Sequence, residues 1–102
     1  MAAPWIPDAG LPNAAGILAG PIVWAALDCA GAWATIRSVT EDQVLLGRMA
    51  AVVSVPIEIG RHYVAIAWKL GQEGRKTFAA TALIDEAGTT MATARQTWIS
   101  LR

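Results

Sequence analysis

The chain has 102 residues, 55% hydrophobic and only 16% charged, with a formal net charge of zero and one cysteine. That length suits one domain with one core, and the neutral balance excludes a global basic field that would draw it to nucleic acid or anionic lipid. A lone Cys29 excludes an intrachain disulfide and a cysteine zinc site, and a charged fraction well below the usual ~25% predicts self-association.

Residues 1–20 read as an arm without regular structure, punctuated by Pro4, Pro7, Pro12, Gly10, Asn13 and Gly16. Proline fixes φ and removes a donor, which disfavours a helix or a central strand. The start, Met1 to Trp5, lacks the basic and apolar regions of a signal peptide. With the single cysteine this gives a cytoplasmic expectation.

Residues 21–36, within "GPIVWAALDCAGAWATI", read as a helix. Gly20 is the expected N-cap and Pro21 a tolerated first-turn proline. Alanines favour the helix, and apolar residues all round it predict burial on most sides. Ile17 to Ile36 is long enough to span a bilayer, roughly 30 Å at 1.5 Å per residue. Asp28 near its centre would cost about 2.5–3.5 kcal/mol there, so the segment is expected to be a core helix.

A polar connector over 37–45 carries Arg37, Thr40, Glu41, Asp42 and Gln43. The period then changes from helical to two. Residues 46–55 suit a mostly buried strand, and Pro56 and Gly60 bracket a turn. In 62–70, His62, Val64, Ile66, Trp68 and Leu70 share one face; Tyr63, Ala65, Ala67 and Lys69 share the other. "GQEG" (71–74) is a turn before a third strand at 75–85. "DEAG" (85–88) is a short hairpin loop with glycine at positive φ, before a fourth strand at 89–101. Alanines on matching strand faces would make a shallow floor for the helix. The expected fold class is α+β: one helix on a four-stranded antiparallel meander spanning 46–101.

This order resembles the hotdog-fold acyl-CoA thioesterases, especially the phenylacetate-degradation type. The resemblance covers roughly residues 13–101. The family's His-Gly-Gly helix opening, with an acid about two and a half turns later, is matched by "AGPIVWAALD"; Gly20 falls on the first glycine and Asp28 on the acid. "SVPIEIG" resembles its Pro-x-x-x-Gly turn, and residues 71–101 resemble its last two strands. The family's histidine is Ala19 here, and its second glycine is Pro21, which has no N–H. The family's hairpin before the helix is not expected in the proline-rich arm. The domain therefore reads as shortened at its N-terminus or as part of a longer chain.

The resemblance implies an acyl-CoA thioester hydrolase without a cofactor, its substrate a coenzyme A thioester. It also implies assembly as a homodimer or homotetramer, with the site between one protomer's helix and its neighbour's sheet. Asp28 would orient or deprotonate water or attack the thioester; partial burial would suit a carboxyl to that use. The bland reading of Asp28 is a structural ion pair or cap. The Gly20 N–H would bind the oxyanion at a helix N-terminus, or serve only as a cap. Asn13 falls where some relatives bind the thioester carbonyl. Arg48, Arg75 and Lys76 are candidates for coenzyme A phosphates, against a reading as solvated surface. His62 is read as surface or core, and Cys29 as a small buried apolar residue. Trp24 and Trp33 are read as packing against the sheet or a partner, and Trp68 and Trp98 as core on strand faces, with the lining of an aryl or acyl pocket as the alternative. No phosphate loop, dinucleotide fingerprint or metal-spaced set is present in the sequence, and neither a nucleic-acid nor a membrane partner is expected. A noncatalytic acyl-CoA-binding or assembly module is the alternative, favoured by Ala19 and Pro21.

Overall fold

The computed structural model describes residues 2–36 and 44–100, with the backbone alone for 33–36 and 44. The expected connector up to residue 43 and the packing of Trp33 lie outside the described residues. In chain order the elements are β1 (Ala2–Trp5), β2 (Asn13–Ala14), β3 (Ile17–Leu18), α1 (Gly20–Ile36), β4 (Val44–Val53), β5 (Tyr63–Glu73), β6 (Lys76–Asp85) and β7 (Thr90–Ser100). No helix among the described residues is long and apolar enough to cross a membrane.

One helix lies against one antiparallel sheet, as expected. The sheet, however, has five strands in the order β1-β5-β6-β7-β4, and it is not a meander. Strand β4 pairs with β7, Val44 opposite Ser100 and Val53 opposite Ala92, instead of with its sequence neighbour β5. The connection over residues 54–62 passes across the end of the sheet, past two intervening strands, roughly 14 Å at the usual strand spacing. A two-residue turn could not make that crossing, whereas the segment holding Pro56 does.

The fifth strand comes from the proline-rich arm. Strand β1 pairs antiparallel with β5, Ala2 opposite Ile66 and Trp5 opposite Tyr63. Pro4 is tolerated because β1 is an edge strand, where half of the N–H groups face away from the sheet. A short hairpin precedes the helix: β2 and β3 pair, turning at Ala15 and Gly16, both at positive φ. The 54–60 loop holds this arm. The Leu18 N–H donates to Ile57 O (2.8 Å), Ile59 N–H to Gly16 O (2.8 Å) and Gly60 N–H to Pro7 O (2.9 Å). Tyr63, buried, accepts at its Oη from the Glu58 N–H (2.9 Å), tying the loop to β5.

The alternation in β5 is realised: Tyr63, Ala65 and Ala67 are buried, while Val64 and Trp68 are exposed. Register carries the same face across the sheet. Ala65 lies opposite Leu83 and Ala67 opposite Thr81; these continue to Ala92 and Ala94. The result is the shallow alanine floor, against which Val23, Leu27 and Ala30 of α1 pack. The turns are tighter than expected at one place. Strand β5 runs on to Glu73, so the β5–β6 turn is Gly74–Arg75 alone. At 85–88, Gly88 takes φ 83°, and the Asp85 carboxylate accepts from the Ala87 and Thr89 N–H groups (3.0 and 2.8 Å).

Candidate functional site

The helix begins at Gly20, so Ala19, not Gly20, occupies the cap position. Ala19 has no side-chain oxygen with which to cap. Its carbonyl accepts from Ile22 N–H (3.0 Å) and Val23 N–H (3.4 Å), and Pro21 has no N–H. That leaves the Gly20 N–H as the open donor of the first turn, with no acceptor among the described residues. Gly20 is exposed, and a Cβ there would meet nothing within 4 Å.

The two flanks of α1 differ. Ala26, Cys29 and Ala30 line an apolar cleft of about 290 Å³ with Ala3, Pro4 and Trp5 of β1. The opposite flank faces β7 and β4: Gly31 abuts Gln96 of β7, which neighbours Met49 of β4. Asp28 lies roughly 60° beyond Gly31 around the helix, on that same flank. Trp24, one turn earlier, is exposed there at 41%. Asp28 is half-buried, and among the described residues no cation or hydrogen-bond donor pairs with it; the ion pair found there is Arg61 with Glu58, on the surface. That contact, chiefly its hydrogen bond, raises the Arg61 pKa from its usual value.

The other sequence candidates scatter. Asn13 sits beside the helix start, since Ala19 N–H donates to Pro12 O (3.0 Å). Its amide is occupied locally: Nδ2 donates to Leu11 O (2.8 Å) and Oδ1 accepts from Gly16 N–H (3.3 Å). Arg75 and Lys76 are exposed at the β5–β6 tip, with Arg75 Nε donating to Ser100 O (2.9 Å). Tyr63, near the helix start, is ten residues away along β5 from Glu73 at that tip. This puts the tip about 30 Å from the helix start. Arg48 turns to the face opposite α1. A bulge at Gly47 shifts the register so that Leu46 pairs with Trp98 and Arg48 with Thr97. There Arg48 joins Arg95 at a groove of about 470 Å³ floored by Phe78 and bordered by Leu70 and Gly71. Sequence reading passed over Arg95, and also Gln96, a buried polar residue in a run of inward-facing Ala92, Ala94 and Trp98. A polar residue at an inward position of an alternating strand was the available signal for Gln96. His62 is exposed, and Cys29 is exposed too, not buried as expected, because it lies on the flank away from β7. No group of metal-ligating side chains occurs among the described residues.

No protein-family model matches the chain, and no curated protein sequence does. Solved structures do match. Zebrafish thioesterase superfamily member 2 superposes with a TM-score of 0.87 at 20% identity, covering 99% of this chain and 73% of that one. AziG of S. sahachiroi gives 0.90 at 19% identity, over 99% and 82% of the two chains. The BH2602 protein of Bacillus halodurans, solved with CoA, gives 0.87 at 16% identity, over 98% and 66%. A single helix held against one antiparallel sheet, matched over nearly the whole chain, makes this the hotdog fold that thioesterase superfamily member 2 also has.

Proposed function

We propose that the chain is an acyl-CoA thioester hydrolase whose site forms where the Asp28 flank of α1 meets a second copy of the chain. The observation that carries this reading is Asp28 itself: half-buried, without a partner among the described residues, and on the flank facing the β7–β4 side of the sheet. A structural carboxylate in such a place would be expected to hold an arginine or a backbone donor. One with no partner among the described residues is open to a water molecule.

Gly20 and Asp28 are eight residues apart, about 12 Å along the helix axis. Catalytic contacts to one carbonyl and its attacking water are near 3 Å. The two residues therefore act together only when contributed by different protomers, their helices running antiparallel. The partner's open Gly20 N–H would then stabilise the developing oxyanion, while Asp28 orients and deprotonates the water. Arg75 and Lys76, exposed at the far end of the sheet from their own Gly20, would meet the phosphates of a long ligand that extended from Asp28 toward the β5–β6 tip. The CoA in the BH2602 structure supports that class of ligand. Arg48, on the opposite face, is not included. Asn13 joins only by releasing Leu11 O.

The experiment is turnover of a panel of acyl and aryl CoA thioesters by the wild-type chain and by Asp28→Asn. Loss of about 100-fold or more in kcat, with an unchanged melting temperature, is expected for removal of a general base. Equal turnover in the variant rejects the role of Asp28. A second reading, a noncatalytic acyl-CoA-binding module, is favoured by the single open N–H at the helix start and the occupied Asn13 amide. Coenzyme A binding with no turnover of any thioester by the wild-type chain selects it.

A further inference from the structure

Gln96 is 2% exposed and projects from β7 onto α1. Its Nε2 donates to the Leu27 main-chain oxygen (2.8 Å), and its Oε1 accepts from Trp98 Nε1–H (2.7 Å). The indole can only donate and a carbonyl can only accept, so the orientation of the amide is fixed at both ends. Gly31 makes room for it: a Cβ at that position would overlap Gln96 Oε1. Glycine is a poor choice inside a helix otherwise rich in alanine. Here it is the residue that lets the amide approach.

The contact matters because of what else holds the helix. Beneath α1 the sheet presents Ala65, Ala67, Ala92 and Ala94, with Leu83 and Thr81 between them. Such a floor sets how close the helix comes, but apolar contacts are non-directional and fix its rotation and slide less sharply than a hydrogen bond does. The Gln96 bond is directional, and it grips the carbonyl of the residue directly before Asp28. A helix turn carrying a carboxylate some distance off its axis converts a small rotation into a displacement of an ångström or more. Misplacement of that size costs about 100-fold in rate for a correctly bound substrate.

We infer that Gln96 is a positioning residue for Asp28: the Trp98–Gln96–Leu27 hydrogen-bond chain, admitted by Gly31, sets the rotation and height of the α1 turn that presents the carboxylate. This rests on the hydrolase reading above for its consequence in rate, and on geometry alone for its consequence in structure.

The test uses the full chain with Gln96→Met, which keeps the length of the side chain and removes both hydrogen bonds, and with Gln96→Met/Trp98→Phe, which also removes the indole donor left without a partner. In Gln96→Met, kcat toward a turned-over CoA thioester is expected to fall about 100-fold with KM within about twofold. The double variant is expected to regain melting temperature but not kcat. A kcat that is unchanged in the single variant, or that returns with stability in the double, overturns the inference by making Gln96 merely structural. Crystal structures of both variants supply a second readout that needs no activity. The 27–31 turn is expected to shift or rotate relative to β7 by about 1 Å or more; an unmoved turn overturns the inference. Absence of turnover in the wild-type chain defeats the hydrolase reading, and the crystallographic comparison then decides the positioning role by itself.

Discussion

The two edges of the sheet are built differently. Edge β1 is four residues long and contains Pro4. Edge β4 is ten residues long, contains no proline, and exposes Leu45 (57%) and Val52 (62%). Short, proline-bearing edges are protected against pairing; long apolar ones invite it. The contrast teaches where a second copy would add. Pairing along β4 would extend the sheet on the side toward which Asp28 leans, and would leave the Cys29 flank beside β1 facing away.

The sharpest way to break this comparison is to charge the open edge. Leu45→Glu together with Val52→Glu alters two exposed side chains, so the protomer is expected to keep its fold. Four like charges meeting across a two-fold, at up to ~1 kcal/mol each, would weaken association by roughly 3 kcal/mol, or about 100-fold in Kd. Sedimentation equilibrium measures it, and turnover should fall with the dimer. Unaltered association would place the contact elsewhere on the molecule.

A next effect concerns the helix above the sheet. Gly31→Ala is expected to destabilise by about 1–3 kcal/mol, because its methyl group contests the space of the Gln96 amide. Urea unfolding reads this directly; a neutral or stabilising result would mean that the amide can swing aside freely. Smaller is Arg75→Glu at the β5–β6 tip, where coenzyme A affinity should fall roughly fivefold at low salt and less at high salt. Calorimetry at two ionic strengths would expose a salt-independent change and so remove Arg75 from the ligand. Smallest is Pro4→Ala at the protected edge, expected to stay within about 0.5 kcal/mol and to leave the association state alone. New aggregation in that variant would reveal how much the proline guards.

What could be read before folding was what depends on neighbours in sequence. The helix followed from its alanines and Pro21, the faces of β5 from strict alternation, and the 85–88 loop from Asp85 and Gly88. Asp28 stood out because a carboxylate in an apolar run is chemically conspicuous, and Gly20 because "AGPIVWAALD" resembles a thioesterase helix opening. Strand order was hidden because the β4–β7 and β1–β5 pairings join residues far apart in the chain. Pro4 and Pro7 concealed β1, since a local rule against proline does not know that the strand will lie at an edge. The side taken by Arg48 depended on a one-residue bulge at Gly47, where the space is set by Ile99: a Cβ would lie 2.6 Å from Ile99 Cδ1. Gln96 had its pattern signal, but its partner on the helix is 69 residues away.

The strand order also bears on how the chain finds its shape. Strands β5, β6 and β7 follow one another through short turns and can zip together from local encounters. Ala2 must wait for Ile66 to be in place, and Val44 for Ser100. Closing such wide loops early is entropically unfavourable. The three central strands therefore serve as the template, and the two borders, β1 and β4, are the last to be laid down.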